Sequence, residues 1–338
     1  MALNSTPDIF PLSFDPTRGQ VRCVRLSEAD YKAASFLDER ILAQAGAGEW
    51  VASTETEAVA RTLSVEGDFI FHMGHVGSTL LSRVLATSDR VFSVREPAIL
   101  RTLAEPCSSE NHQARLESFS RLFARVWRPD QRALIKATSF VSDLGEPLMA
   151  AFPSAKAILM LASPVAYMSG MLAGSATRPE LKTGASRRLL RLHRRLGGVF
   201  WRFEALSEGE LAAMAWAGEV VALAGVAREV STRAMWLDFD AFLARPRAAL
   251  AACLQFLHGA VPKHLLDAMV ASADFSRYSK APEYAYSARL RADILAVALS
   301  QHRIEIARGM DWLDVAGQTH ALIASATRAA AAGMRPAF

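Results

Sequence analysis

The run GDFIFHMGHVGSTLLSRVL, from Gly67 to Leu85, passes through three kinds of chain in succession. Phe69 to Met73 is a short apolar segment of the length and composition of an interior strand, and Gly74 and Gly77 allow a tight backbone turn after it. Ser78 and Thr79 stand where a helix begins, and Leu80, Leu81, Val84 and Leu85 recur at the spacing of one apolar helix face. Strand, glycine loop and helix in this order make a phosphate site, because loop N–H groups, the positive end of the helix dipole and two hydroxyls converge on one point. The loop is not a Walker A sequence. GxxxxGK[ST] needs lysine before the last hydroxyl residue, and Gly77 holds that place, which disfavours ordinary ATP or GTP hydrolysis.

Working outward, four more short apolar runs fit strands: Val91 to Val94, Ala133 to Ile135, Ala157 to Leu161 and Trp236 to Phe239. A helical pattern follows each of the earlier ones. This alternation predicts a P-loop-like three-layer α/β/α fold with a mostly parallel central sheet and helical additions. Arg95 and Glu96, Lys136, and Ala162-Ser163-Pro164 then fall at carboxyl ends of strands, the edge where open α/β sheets bind ligands. Residues 1–60, with Pro7, Pro11, Pro16 and a helical stretch from Ser27 to Ala45, read as an N-terminal extension packed on the core. Residues 61–338 form the main domain, with a helical insertion near 165–235 and C-terminal helices. The arginines between Arg178 and Arg195 fit either a solvated helix face or a lid that contacts an anion.

Composition narrows the function classes. A chain of 338 residues, 51% hydrophobic and 21% charged, is globular and long enough for one large domain with additions. Its formal charge of +4 permits an anionic ligand without calling for nucleic acid. Cys23, Cys107 and Cys253 lie far apart without a CxxC pair, so neither a zinc site nor a disulfide framework is expected. No metal is expected. The N-terminal residues lack a basic region followed by a long apolar segment, and the alanine-rich runs near 211–227 and 321–333 are interrupted by Glu219, Arg228 and Arg328. The expectation is a cytoplasmic protein with no membrane partner. The oligomeric state is not specified.

Three segments resemble the sulfotransferase family, whose members transfer a sulfuryl group from 3′-phosphoadenosine 5′-phosphosulfate (PAPS) to a hydroxyl or amine. MGHVGSTLL, Met73 to Leu81, resembles the 5′-phosphosulfate loop PxSGTTxL. LIKATSFVSDLGEPLMAAFPSAKAILML, Leu134 to Leu161, resembles the block that precedes the 3′-phosphate motif, with FPSAK at Phe152 to Lys156 the closest part. WLDFDAFLARPRAALAACLQFL, Trp236 to Leu257, resembles the later YEDLxxxPxxxxxxxxxFL segment. The resemblance covers about residues 67–258 and implies a divergent, bacterial-type member that lacks the usual 3′-phosphate arginine. Ala162-Ser163-Pro164 stands where the family has Arg-Asp-Pro or Arg-Asn-Pro, and Gly170 stands where a serine completes the grip, with Ser169 one place early. Arg277 and Lys280 are the basic groups that could fold back to supply the missing charge.

The resemblance also implies roles. Gly74, His75, Gly77, Ser78 and Thr79 would hold the 5′-phosphosulfate, with Ser163, Ser169, Arg277 and Lys280 toward the rest of the nucleotide. His75 stands where the family has lysine or arginine on the bridging oxygen, so it would assist departure of the phosphate. Glu96 would take the acceptor's proton, and Lys136 would stabilise transferred charge or hold a loop. His72, on the strand, reads as a core histidine. Transfer would be in line, from a nucleotide-type donor to a small-molecule or peptide acceptor. Two other readings stay open: a P-loop transferase using another phosphorylated donor such as ATP, and a non-catalytic binding module of a biosynthetic system.

Overall fold

The computed structural model describes residues 3–105, 111–259, 262–278 and 281–334. Five strands form a parallel sheet: β4 (Asp68–His72), β5 (Val91–Arg95), β6 (Arg132–Lys136), β7 (Ala157–Leu161) and β8 (Ala234–Asp238), ordered β5-β6-β4-β7-β8. The chain therefore starts the sheet in the middle, at β4, builds one side, and crosses to the other. Such a reversal opens a crevice at the carboxyl ends beside the first strand. Along the inner strands successive side chains serve opposite faces, as a two-residue repeat requires. Ile70, Leu134, Ile158 and Met160 enter one apolar core, while Phe69, Phe71, Ile135 and Leu159 enter the other. Both faces are covered, which makes the fold three-layered α/β/α. Each fully buried large side chain contributes roughly 1.5–3 kcal/mol.

The first core is closed by helices, among them Ser78–Leu85, Pro164–Ala173 and the long Glu208–Val230. Glu208–Val230 is long and apolar enough to cross a bilayer by length and composition, yet most of it is buried inside the protein. It packs on Arg303–Thr319, Ala321–Gly333, Ala185–Leu196 and Gly145–Ala151, which explains an alanine-rich helix that is apolar nearly all round.

The N-terminal extension covers the second core, and it is a sheet as well as helices. Strands β1 (Ile9–Asp15), β2 (Gln20–Arg25) and β3 (Glu49–Ala52) pair antiparallel in that order. Pro11 sits where the β1–β2 register shifts, a place that tolerates a residue without an N–H donor. The expected helical stretch from Ser27 to Ala45 is broken into Glu28–Ala33 and Leu42–Ala45 with a 3₁₀ turn between. Two buried arginines tie the extension down: Arg95 donates to the carbonyls of Tyr31, Lys32 and Ala34, and Arg125 to those of Asn4, Thr6 and Ile9. A small antiparallel pair, β9 (Arg277–Tyr278) and β10 (Ala281–Ala285), precedes the C-terminal helices.

The sheet strands agree with the sequence reading to within one or two residues. Trp236 to Phe239 is shifted because Phe239 already begins the helix Phe239–Ala244, capped by the Asp238 carboxylate accepting from Ala241 N–H at 2.7 Å. The arginines of Ala185–Leu196 divide between two faces: Arg187 and Arg194 are exposed, as a solvated face requires, while three others turn inward to acids. Arg191 pairs with Asp143 and Glu219, Arg195 with Asp143 and Glu146, and the buried Arg188 with Glu180.

Candidate functional site

The loop after β4 has an unusual backbone. Gly74, His75 and Gly77 all have positive φ, at 74°, 54° and 64°. A non-glycine residue in this region is strained and is kept there by its surroundings. Part of the support comes from His72: Gly74 N–H donates to His72 Nδ1 at 3.0 Å, while His72 Nε2–H donates to the Ala137 carbonyl at 2.8 Å. The core histidine thus bolts the loop to the end of β6. Gly77 is required twice over, because its φ is left-handed and an added Cβ would run into the Phe239 ring.

Gly77 caps Ser78–Leu85 with no side-chain cap bond. Within the first turn, Thr79 is only 2% exposed, and its Oγ1 is buried with no hydrogen-bond partner among the described residues. Buried hydroxyls are rarely left so, since desolvating one without a partner costs about 1–3 kcal/mol. Gly77, Ser78, Thr79 and His75 line one end of a cavity of about 180 Å³. Its other walls are Ala162, Ala166, Tyr167 and Gly170, Phe239, and the C-terminal residues Tyr278, Tyr286, Arg291, Ile294 and Leu295.

His75 reaches across the loop. Its Nε2–H donates to Glu180 Oε2 at 3.1 Å, and Arg188 holds the other Glu180 oxygen at 3.1 Å. The hydrogen bond from His75, helped by Arg188, pulls the Glu180 carboxyl down to about 2. Glu180 was not among the sequence candidates, since a lone glutamate in the short helix Thr177–Thr183, beside an arginine-rich one, carries no local signal.

The remaining candidates fall in separate places. Glu96, also at positive φ (50°), is 4% exposed and does not line the cavity. One of its oxygens pairs with the fully buried Lys136, the other accepts from Arg101 at 3.0 Å, and its N–H donates to the Lys136 carbonyl at 2.7 Å. Arg95, its neighbour in sequence, turns instead to the N-terminal extension, and burial pushes its guanidinium down to about 9. The Ser163 hydroxyl accepts from Ala166 N–H at 3.2 Å as a helix cap, and Ser169 is buried outside the cavity lining. Arg277 is exposed, donating to the Ala273 carbonyl at 3.3 Å, and is not in the lining. Lys280 lies outside the described residues. Among the described residues, the arginine at the cavity is Arg291, from the helix Ala288–Gln301, about 130 residues beyond Ala162 and in no motif that a sequence reading would search.

A second cleft, of about 410 Å³, opens on the Glu96 side. Arg101, Phe140, Arg187, Leu190, Arg191 and Arg194 line it. Phe140 follows Ser139, whose Oγ would lie 3.3 Å from a Cβ placed on Gly74, so this cleft begins beside the loop.

No family model matches the chain, and no curated protein matches it. Among solved structures, it resembles the sulfotransferase domain from the curacin biosynthetic pathway at 14% identity and a TM-score of 0.40, over 66% of this chain and 84% of that one. The sulfotransferase STF9 from Mycobacterium avium gives 11% and 0.42, over 72% and 78%. A sulfotransferase from Alicyclobacillus acidocaldarius gives 16% and 0.38, over 66% and 97%. The chain is similar in fold to sulfotransferases. At such scores the likeness carries neither a donor nor an acceptor to this protein.

Proposed function

We propose that the protein transfers a sulfuryl group from a nucleotide 5′-phosphosulfate, held at the loop from Gly74 to Thr79, to a hydroxyl or amine. PAPS is the donor that the motifs Met73–Leu81 and Leu134–Leu161 imply. The observation that carries the reading is the buried, unpartnered Thr79 hydroxyl beneath a loop with three left-handed residues, at the polar end of a cavity. An anion oxygen there would satisfy the hydroxyl and meet the helix N-terminus.

A phosphosulfate supplies the sulfuryl group and a phosphate leaving group. The protein's part is charge and position. His75, steered by Glu180, stands at the loop to support charge that grows on the departing phosphate oxygen. The acceptor enters from the cleft at Arg101 and Phe140. Glu96, which Arg101 joins to that cleft, takes the proton once the acceptor displaces Arg101 from its oxygen, and Lys136 holds the carboxylate in place. The sulfur–oxygen bond to the donor phosphate breaks, a bond from sulfur to the acceptor oxygen or nitrogen forms, and the acceptor's proton passes to Glu96.

The test is transfer of label from ³⁵S-PAPS and ³⁵S-adenosine 5′-phosphosulfate to a panel of phenols, alcohols and amines. Labelled acceptor from either donor, lost in His75→Ala, supports the reading. Transfer from ³²P-ATP with none from either sulfate donor replaces it with phosphoryl transfer, and no transfer with retained nucleotide binding replaces it with a non-catalytic module.

A further inference from the structure

We infer that the cavity reads the anion at one end of its nucleotide only, so that a second phosphate on the sugar adds nothing to binding. This rests on the loop being the donor site. The argument is the chemistry of the wall opposite the loop. Ala162, at the end of β7, offers no charge, and its carbonyl is already taken by Trp216 Nε1–H at 2.9 Å. Ser163 spends its hydroxyl on capping its own helix. Gly170, about two turns further on, has no side chain to offer and faces Leu295, whose Cδ2 lies 3.8 Å from where a Cβ would stand. The helix Ala288–Gln301 lies along Pro164–Ala173 and brings Ile294 and Leu295 to the lining, while the Thr177 hydroxyl beside them is spent on the carbonyls of Gly170, Met171 and Gly174.

Among the described residues one guanidinium lines the cavity, that of Arg291, and its charge is committed. Nε donates to Asp240 Oδ1 at 2.6 Å and Nη2 to Oδ2 at 3.4 Å, with the guanidinium carbon 4.5 Å from the centre of the Phe239 ring. A sugar phosphate would have to expel the Asp240 carboxylate from a side chain that is only 12% exposed, or else lie unpaired against aliphatic carbon. Desolvating an anion without a free cation is opposed by several kcal/mol, which leaves no net gain from the extra group. Tyr167, Tyr278 and Tyr286 line the cavity, and aromatic side chains suit a neutral base and ribose.

The experiment is calorimetric titration of the full-length protein with adenosine 5′-monophosphate and with adenosine 3′,5′-bisphosphate. A bisphosphate that binds no more than threefold tighter than the monophosphate, whether equally or more weakly, is expected. A bisphosphate more than threefold tighter overturns the inference while leaving the loop as donor site, and Arg291→Gln and Lys280→Gln then identify the cation responsible. Absence of binding by both nucleotides overturns the donor assignment itself.

Discussion

Thr79→Val separates ligand binding from folding. Valine keeps the shape and removes the hydroxyl. In the free protein that hydroxyl is buried without a partner, so its loss removes a desolvation burden of about 1–3 kcal/mol and stability should hold or rise. In the complex the same hydroxyl would donate to an anionic oxygen, a bond that contributes about 1.5–3 kcal/mol. Affinity should therefore fall by roughly 10- to 150-fold. The assay pairs thermal unfolding of the free protein with calorimetric titration by adenosine 5′-monophosphate. Stabilisation of 1 kcal/mol would raise Tm by a few degrees at most in a chain of this size. A variant that loses stability and keeps its affinity refutes the assignment of Thr79 to an anion.

Other expectations follow from the same geometry. Glu96→Gln removes a carboxylate charge paired with the fully buried Lys136 and should cost about 3–5 kcal/mol in denaturant unfolding, with much of this recovered in Glu96→Gln/Lys136→Met; equal destabilisation of both variants would contradict the pairing. Gly77→Ala should destabilise by at least about 1–2 kcal/mol from its left-handed backbone alone, with a further loss from displacing Phe239, and should abolish nucleotide binding in calorimetry. The Glu180 carboxyl lies at about 2 in the folded protein against 4.5 ordinarily, so its contribution is present above pH 4.5 and fades as pH falls toward 2. The Tm difference between wild type and Glu180→Gln should therefore close over that window, and a difference independent of pH would exclude the ionised pair. Burial, aided by Arg90, Arg132 and Lys156, brings His258 down to about 4. The folded state binds its proton less readily than the unfolded chain, so stability is lost as pH falls from about 6.5 to 4; His258→Gln should lessen that loss in unfolding curves taken across the range.

What could be read from the sequence was what is local. Ala157–Leu161 is a strand with the residues expected, because a five-residue apolar run between FPSAK and a proline has few other uses. The loop from Gly74 to Thr79 was legible for the same reason. The N-terminal sheet was not, since IFPLSFD carries a proline and alternates poorly, and the pairing of the sheet depends on partners as far apart as Gln20 and Ala52. The buried arginine network escaped because periodic arginines look solvated until the acids that face them, Asp143, Glu146 and Glu219, arrive from other helices. Glu96 and Lys136 were both singled out, and their mutual contact follows from β5 and β6 being neighbours, a matter of sheet order. Arg291 is the deepest miss. A helix far along the chain folds back over Pro164–Ala173, and only tertiary structure puts its guanidinium beside Phe239.

The most direct experiment is a crystal structure of the protein with adenosine 5′-phosphosulfate. Phosphosulfate density within about 2.7–3.1 Å of Thr79 Oγ1 and of the N–H groups at Gly77 to Thr79 is the expected result. A nucleotide whose anion lies at Arg291 or in the cleft at Arg101, with the loop empty, would contradict it.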